Sequence, residues 1–259
     1  MPRTSEPGRS VSSRLLELLF AFRAGHQVFS LAELVRETGI PHATARRLVL
    51  ELVEAGALDR MDDGRFAIGL RLWQLATLTP RTESLRVLAR PYMDDLYSAL
   101  EQHVQLAVLS DDHAVIIERM SSLDAVNLTS QVGGRLPLHA SGVGKVLLSH
   151  ADPLLIDRIL AGRLSTYTPA TVVDPISLRR EIAACRQTGT SMVRAELTKE
   201  ADSVATRIID AEGRVVAALS VVVRTGSVQL QAAVPSVITS GLAISRALGW
   251  QPGIPIQGA

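Results

Sequence analysis

Residues 30–69 read SLAELVRETGIPHATARRLVLELVEAGALDRMDDGRFAIG. Ser30 with Glu33 three positions later forms a capping-box pattern, in which each residue's side chain satisfies the other's backbone N–H. Leu31, Leu34 and Val35 then repeat at the spacing of one apolar helix face. Gly39 stands just past the end of that helix. Pro41 sits where the next helix begins, a position that tolerates its missing N–H. In the second helix Ala45, Leu48, Val49 and Leu52 fall at i, i+3, i+4 and i+7 and face the core. Gly56 ends it. Residues 58–61 and 66–68 read as two short strands around Asp62-Asp63-Gly64-Arg65, where Asp-Gly signals a hairpin turn. Two short amphipathic helices, a tight turn and a small hairpin are the order of a winged helix-turn-helix.

The face of the second helix opposite its core stripe carries His42, Ala43, Arg46 and Arg47, with Thr44 at the flank. A recognition helix presents its N-terminal residues to base edges in the major groove. Arginine donates in bidentate fashion to guanine, and a small residue leaves room for a thymine methyl. Arg65, at the tip of the wing, is placed to meet a phosphate, and Ser30 opens the first helix of the pair. The same residues also fit a blander role, since adjacent arginines often form only a solvated face and some helix-turn-helix units never touch DNA. The hairpin at the right distance favours the DNA-binding alternative.

Charge supports local rather than global attraction to a polyanion. Of 259 residues, Lys and Arg number 27 against 26 Asp and Glu, a net charge of +1. Residues 1–80 hold ten Arg, no Lys and nine acidic residues, again +1. Any DNA footprint therefore comes from placement: Arg3, Arg9 and Arg14 in an arm, Arg46 and Arg47 on the helix, Arg60 and Arg65 on the wing. Modest affinity per protomer favours binding as a dimer or a higher assembly. The single cysteine, Cys185, excludes an intramolecular disulfide and a Cys-rich zinc site. It falls in the helical pattern Leu178, Ile182, Cys185 and reads as a small buried hydrophobe. No signal-peptide pattern opens the chain, and the longest apolar stretch, 215–223, is too short to span a bilayer, which points to a cytoplasmic protein.

Outside the winged unit, residues 1–9 read as a disordered arm and 10–23 as a first helix with Leu15, Leu18, Leu19 and Phe22 on its inner side. The domain boundaries expected are 10–68 for the winged helix-turn-helix, 69–82 for a linker helix and hinge, and 83–252 for a second domain. Residues 69–79 make the apolar linker helix and 79–82 the hinge. From residue 83 a longer helix includes Leu85, Leu88, Met93, Leu96 and Leu100. Strand-like runs follow at 104–109, 114–119 and 126–130, helices at 141–149, 153–161 and 175–187, strands at 191–193, 204–209 and 215–223, and a last helix at 236–248. Strands in groups, with helices between and after them, predict an antiparallel-rich α+β domain.

The segment Leu138-His139-Ala140-Ser141-Gly142-Val143-Gly144-Lys145 invites an enzymatic reading and does not sustain it. It is no P-loop, because His139 replaces the first glycine and Val146 the final Ser or Thr. It is no nucleophile elbow, because His139 and Val143 stand where that motif needs glycine. The Ser-to-Lys spacing is one residue too long for Ser-x-x-Lys, and no nearby carboxylate completes a relay with His139 and Ser141. The glycines instead let the backbone at a helix start approach a small ligand, whose anionic group would use the free N–H donors there. The six histidines (26, 42, 103, 113, 139 and 150) show no metal-site pairing. The expectation is no catalytic residue, no metal and no cofactor.

Three runs carry a resemblance. LAELVRETGIPHATARRLVLELVEAGALDR with GRFAIGLRLWQLA resembles the N-terminal domain of the IclR family of bacterial transcription regulators. QVGGRLPLHASGVGKVLLS at 131–149 is similar to that family's effector-domain signature, and DAEGRVVAALSV at 210–221 to its late strand pair. The resemblance spans nearly the whole chain in order and spacing. It implies a GAF-like effector-binding domain with one curved antiparallel sheet, helices on one side and a ligand pocket on the other. It also implies operator DNA as partner, a small-molecule effector, and homodimers often paired as dimers of dimers. Leu70, Leu72, Trp73 and Leu75 of the linker helix are candidates for the dimer contact. Carried across by position, the pocket comprises Leu128, Leu136, Gly142, Val143, Ala201, Ser203, Ser220 and Val222.

The chain departs from the family pattern at several of these places. Met192-Val193-Arg194-Ala195 stands where an acidic run is common, Ser203 where cysteine is, and Arg207 where proline is frequent. Leu, Val and Ala with Ser203 and Ser220 as polar handles suit a partly apolar or aromatic ligand; alternatively these residues are only domain core. His42-Ala43-Thr44 replaces the frequent Lys-Ser-Thr, whereas Arg47 and Leu48 match. A one-component regulator is the leading reading. A winged protein–protein adaptor and a metabolite-processing enzyme with an appended helix-turn-helix are the alternatives.

Overall fold

The computed structural model describes residues 10–23, 25–76, 78, 80–121, 126, 130–227 and 229–257, excluding the side chains of residues 80–83 and 229. Two compact units divide the chain between Glu83 and Ser84.

In the first unit Ser10 caps α1 (Val11–Phe20), accepting from the Ser13 N–H at 3.0 Å. Arg14 therefore lies in this helix and not in an arm, while Arg3 and Arg9 lie outside the described residues. A short strand, β1 (Val28–Phe29), leads to α2 (Leu31–Thr38), where the capping box of Ser30 and Glu33 is complete. The Ser30 N–H donates to Glu33 at 2.7 Å and holds that carboxyl below the usual range. Gly39, at φ 66°, ends α2 in the left-handed region, which lacks steric cost only for glycine. Pro41 is the N-cap of α3 (His42–Glu54) rather than its first helical residue. Ala45, Leu48, Val49 and Leu52 are all buried, against Leu18, Phe29, Leu34, Leu58 and Phe66. The wing strands β2 (Leu58–Arg60) and β3 (Phe66–Ile68) pair antiparallel, and β1 adds to β3, so the sheet has three strands in the order β1-β3-β2. The linker helix is α4 (Leu70–Ala76).

The next helix, α5 (Pro80–Leu100), already includes Pro80, Arg81 and Thr82, which the sequence assigned to a hinge; Thr79 lies outside the described residues. Proline suits a first helical turn, which needs no N–H donor. The second unit is built on a six-stranded antiparallel sheet. Its strands are β4 (His103–Ser110), β5 (His113–Met120), β6 (Arg135–Pro137), β7 (Thr190–Arg194), β8 (Ala201–Ile209) and β9 (Val215–Arg224), in the order β6-β5-β4-β9-β8-β7. The expected strand at 126–130 is not found at Val126 or Ser130, and its other residues lie outside the described set; β6 pairs with β5 instead.

Both faces of this sheet are covered. Val104, Leu106, Val204, Ile208, Ala217, Leu219, Val221 and Val223 pack against α5 and α9 (Gln229–Ala247). The alternate residues Ala107, Ala205 and Ala218 pack against α6 (Gly142–Ser149), behind which lie α7 (Pro153–Ala161) and α8 (Pro175–Thr188). Helices on one side only was therefore too simple. Strands buried on both faces read as continuous apolar runs, as 215–223 does.

Helix α6 lies against backbone. A Cβ on Gly144 would stand 2.6 Å from the Pro137 carbonyl oxygen and 2.7 Å from Leu138 Cα, and one on Gly142 2.7 Å from Ser203 Oγ. The Lys145 ammonium, 2% exposed, lies 2.5 Å from Glu181 of α8 and 2.6 Å from Glu196, which follows β7. Gly144→Ala should cost about 1–3 kcal/mol through forced backbone movement, measurable as a lower urea midpoint with unchanged slope. Lys145→Met should cost more, about 3–5 kcal/mol, because buried Glu196 loses its cation.

Candidate functional site

The α3 face set aside for DNA is open. His42, Ala43, Arg46 and Arg47 are exposed and Thr44 is half-buried. Arg47 donates to Glu51 one turn on at 2.6 Å, with both side chains largely in water. Such an i, i+4 pair contributes only a few tenths of a kcal/mol, so a phosphate or guanine can replace the carboxylate at little cost. Arg46 has no ion pair among the described residues. At the wing, Gly64 adopts φ 81° and the Met61 N–H donates to the Arg65 carbonyl at 2.8 Å, closing the turn. The Arg65 side chain donates to Asp63 at 2.7 Å and is exposed. Ser30 is engaged as the α2 cap, its hydroxyl donating to Glu33 at 2.8 Å.

The second candidate surface is the sheet face beneath the start of α6. Ser141 is the N-cap, accepting from the Gly144 N–H at 3.2 Å and donating to the Pro137 carbonyl at 2.7 Å. His139 meets the Ser165 carbonyl through Nε2 at 2.9 Å. The two side chains thus point to separate backbone partners. Gly142 and Val143 open the helix directly above Ser203, which faces Val193 on one side and Val222 on the other. Ser220 stands opposite Ala205 and Gln105. Ala201, Val222 and Val126 form a small buried apolar cluster on this face. Leu136 is buried beside Val143, in the core between α6 and β5. Leu128 lies outside the described residues.

Three groups that the sequence reading did not connect with this face lie on it. His103 and Gln105 of β4 are both buried, and Arg119 of β5 stands directly opposite Gln105. Their alternation with Val104 and Leu106 was visible in the sequence, but which face they share depends on strand pairing. The His103 Nε2–H donates to the Val126 carbonyl and Gln105 to Ser130 Oγ at 3.0 Å. Serines are therefore not the only polar handles. Elsewhere, apolar clefts of about 270 and 400 Å³ lie along α7 and α8, lined by Ile156, Leu160, Ile176 and Ile182 with Arg179. They are open surface features without a convergent polar set.

Cys185 is buried, within 3.4 Å of the Ser149 hydroxyl, and burial pushes its thiol pKa up. Among the described residues no cluster of His, Cys, Asp and Glu could hold a metal, and no helix is long and apolar enough to cross a membrane.

Two imidazoles, His103 buried and His150 half-buried, have acid-side consequences. Burial lowers the pKa of His150, and the Arg207 and Arg186 charges lower it further. Burial likewise lowers His103. A lowered folded-state pKa adds stability that is present above the unfolded value near 6.5 and lost as pH falls through the folded value. The chain should therefore unfold at lower urea at pH 5 than at pH 7.5, and His150→Gln should shrink that difference.

Residues 12–61 match the family described as IclR helix-turn-helix domain, and residues 79–246 match Bacterial transcriptional regulator IclR C-terminal. The chain is similar to the acetate operon repressor of Salmonella typhimurium, 30% identical over 81% of this chain and 78% of that protein. It is equally similar to the Pca regulon regulatory protein of Pseudomonas putida, 30% identical over 87% and 78%. Among solved structures, an IclR homolog from Microbacterium hydrocarbonoxydans complexed with 4-hydroxybenzoate superimposes with a TM-score of 0.86, at 33% identity, over 92% of this chain and 99% of that one.

Proposed function

The chain belongs to the IclR family of bacterial transcription regulators, and on that premise we propose a cytoplasmic one-component regulator that is not an enzyme. Residues 10–68 bind an operator, 69–82 link, and 83–252 bind a metabolite that changes DNA affinity. The observation that carries this reading is the exposed first two turns of α3 beside an arginine-tipped wing, within a unit whose core is complete without them. His42, Ala43, Thr44, Arg46 and Arg47 face the major groove, while Arg65 and the Ser30 end of α2 meet the phosphates. His42-Ala43 differs from the frequent family residues, so the operator differs while the docking is kept. By linkage, DNA changes effector affinity by the same factor as effector changes DNA affinity.

The effector site is the face beneath α6: the Gly142 and Val143 N–H groups, Ser203 and Ser220, with Leu136, Ala201 and Val222 as apolar lining and Leu128 carried over from the family. Such a lining suits a partly apolar or aromatic ligand. The aromatic acid bound by the Microbacterium relative is therefore a sensible first probe. The exposed Leu70, Trp73 and Leu75 on α4, with half-buried Leu72, pair two copies. Trp73→Glu should lower the sedimentation mass toward that of a monomer.

Binding to a duplex from the chain's own upstream region, titrated with salt, tests the regulator. Arg46→Ala/Arg47→Ala should lose about 1–3 kcal/mol per guanine contact and relax sequence preference. Equal binding by the double variant, or none by the parent, would assign the winged unit to a protein partner.

A further inference from the structure

Among the described residues Arg119 has no carboxylate partner. On β5 it stands opposite Gln105, which stands opposite Ser220, which stands opposite Ala205. The adjacent row on the same face runs His103, Val222, Ser203, Val193. Directly opposed side chains share a face, with Cβ atoms about 4.5–5.5 Å apart. Arg119 is held there by two neutral acceptors, donating through Nη1 to the Ser130 carbonyl and through Nη2 to His103 Nδ1 at 3.5 Å. His103 is oriented for this role, because its Nε2–H is engaged by the Val126 carbonyl and its Nδ1 is left as an acceptor.

The Arg119 Nε is buried and has no acceptor among the described residues. Its neighbour Glu118 does not answer the charge. Glu118 points to the opposite face and pairs with Arg86 of α5 at 3.0 Å. Arg119 is half-buried with its Nε shut off from water, a donor that is costly to leave unmet, and Nε with Nη2 offers the edge that fits the two oxygens of a carboxylate.

We propose, resting on the effector reading above, that Arg119 is the anion-recognising residue of that site and that the effector is a carboxylic acid. One carboxylate takes the Nε–Nη2 edge, beside Gln105 and Ser220. The body of the ligand lies toward Val193, Ala201 and Val222. His103 is a positioning residue that holds the guanidinium plane. A planar monoanion fits this single fork better than a phosphate, since no second cation lies on these two rows.

Calorimetry on the full chain with benzoate, 4-hydroxybenzoate and their amides tests this. The parent should bind at least one acid, with its amide at least about tenfold weaker, the range of a lost charge-assisted pair. Arg119→Gln should weaken the acid by a similar factor and leave the amide unchanged, so that discrimination disappears; a purely structural arginine would weaken both together. Equal affinity of the parent for acid and amide, retained discrimination in Arg119→Gln, or no binding of either acid overturns the proposal. In each of those cases salt-sensitive operator binding survives if the regulator reading holds, and its absence is what defeats that reading.

Discussion

The second unit depends on how closely α6 approaches the sheet. Gly142 and Gly144 remove the side chains that would hold the helix away, and Lys145, one residue on, clamps it from the other side through Glu181 and Glu196. The clamp is not free stabilisation, because desolvating Lys145 and Glu196 offsets much of their attraction, while the Glu181 side chain stays 42% exposed. Its effect is geometric: one buried ammonium joins α6, α8 and the segment after β7 in a single arrangement. With α6 so placed, Gly142 at its start lies directly against Ser203, on the sheet face that also carries Gln105 and Ser220.

The winged unit works by different physics. Its elements are fixed by local chemistry, namely a capping box, a left-handed glycine and a four-residue turn, and its core closes without the residues proposed to meet DNA. Two of the arginines proposed to meet DNA are neutralised by near neighbours, Arg47 by Glu51 and Arg65 by Asp63. In a protein of net charge +1, such exchangeable pairs restrain non-specific attraction to nucleic acid, because phosphates must displace carboxylates already in place.

Much of this was legible beforehand. The helix starts at Ser10, Ser30, Asp152 and Asp174 follow from cap residues within three positions of their partners, and α3's buried stripe follows from its 3.6-residue period. What was missed depends on longer range. Strand β1 has only two residues and exists because β3 is beside it; β6 has three and exists because of β5. Neither carries a pattern long enough to read. The start of α5 at Pro80 was taken for a hinge because proline marks both boundaries and first turns.

By itself the sequence determined the two-part plan, the helix-turn-helix with its wing, the family, and the glycine-rich start of α6, since these rest on contacts between near neighbours or on quoted motifs. Only the tertiary structure decided which side chains share the face beneath α6. His103, Gln105 and Arg119 lie on separate strands from Ser203 and Ser220, and a one-residue change of register would turn each of them to the opposite side. The pairing of β4 with both β5 and β9 brings them together, and it leaves the Arg119 guanidinium on that face with no acid partner among the described residues.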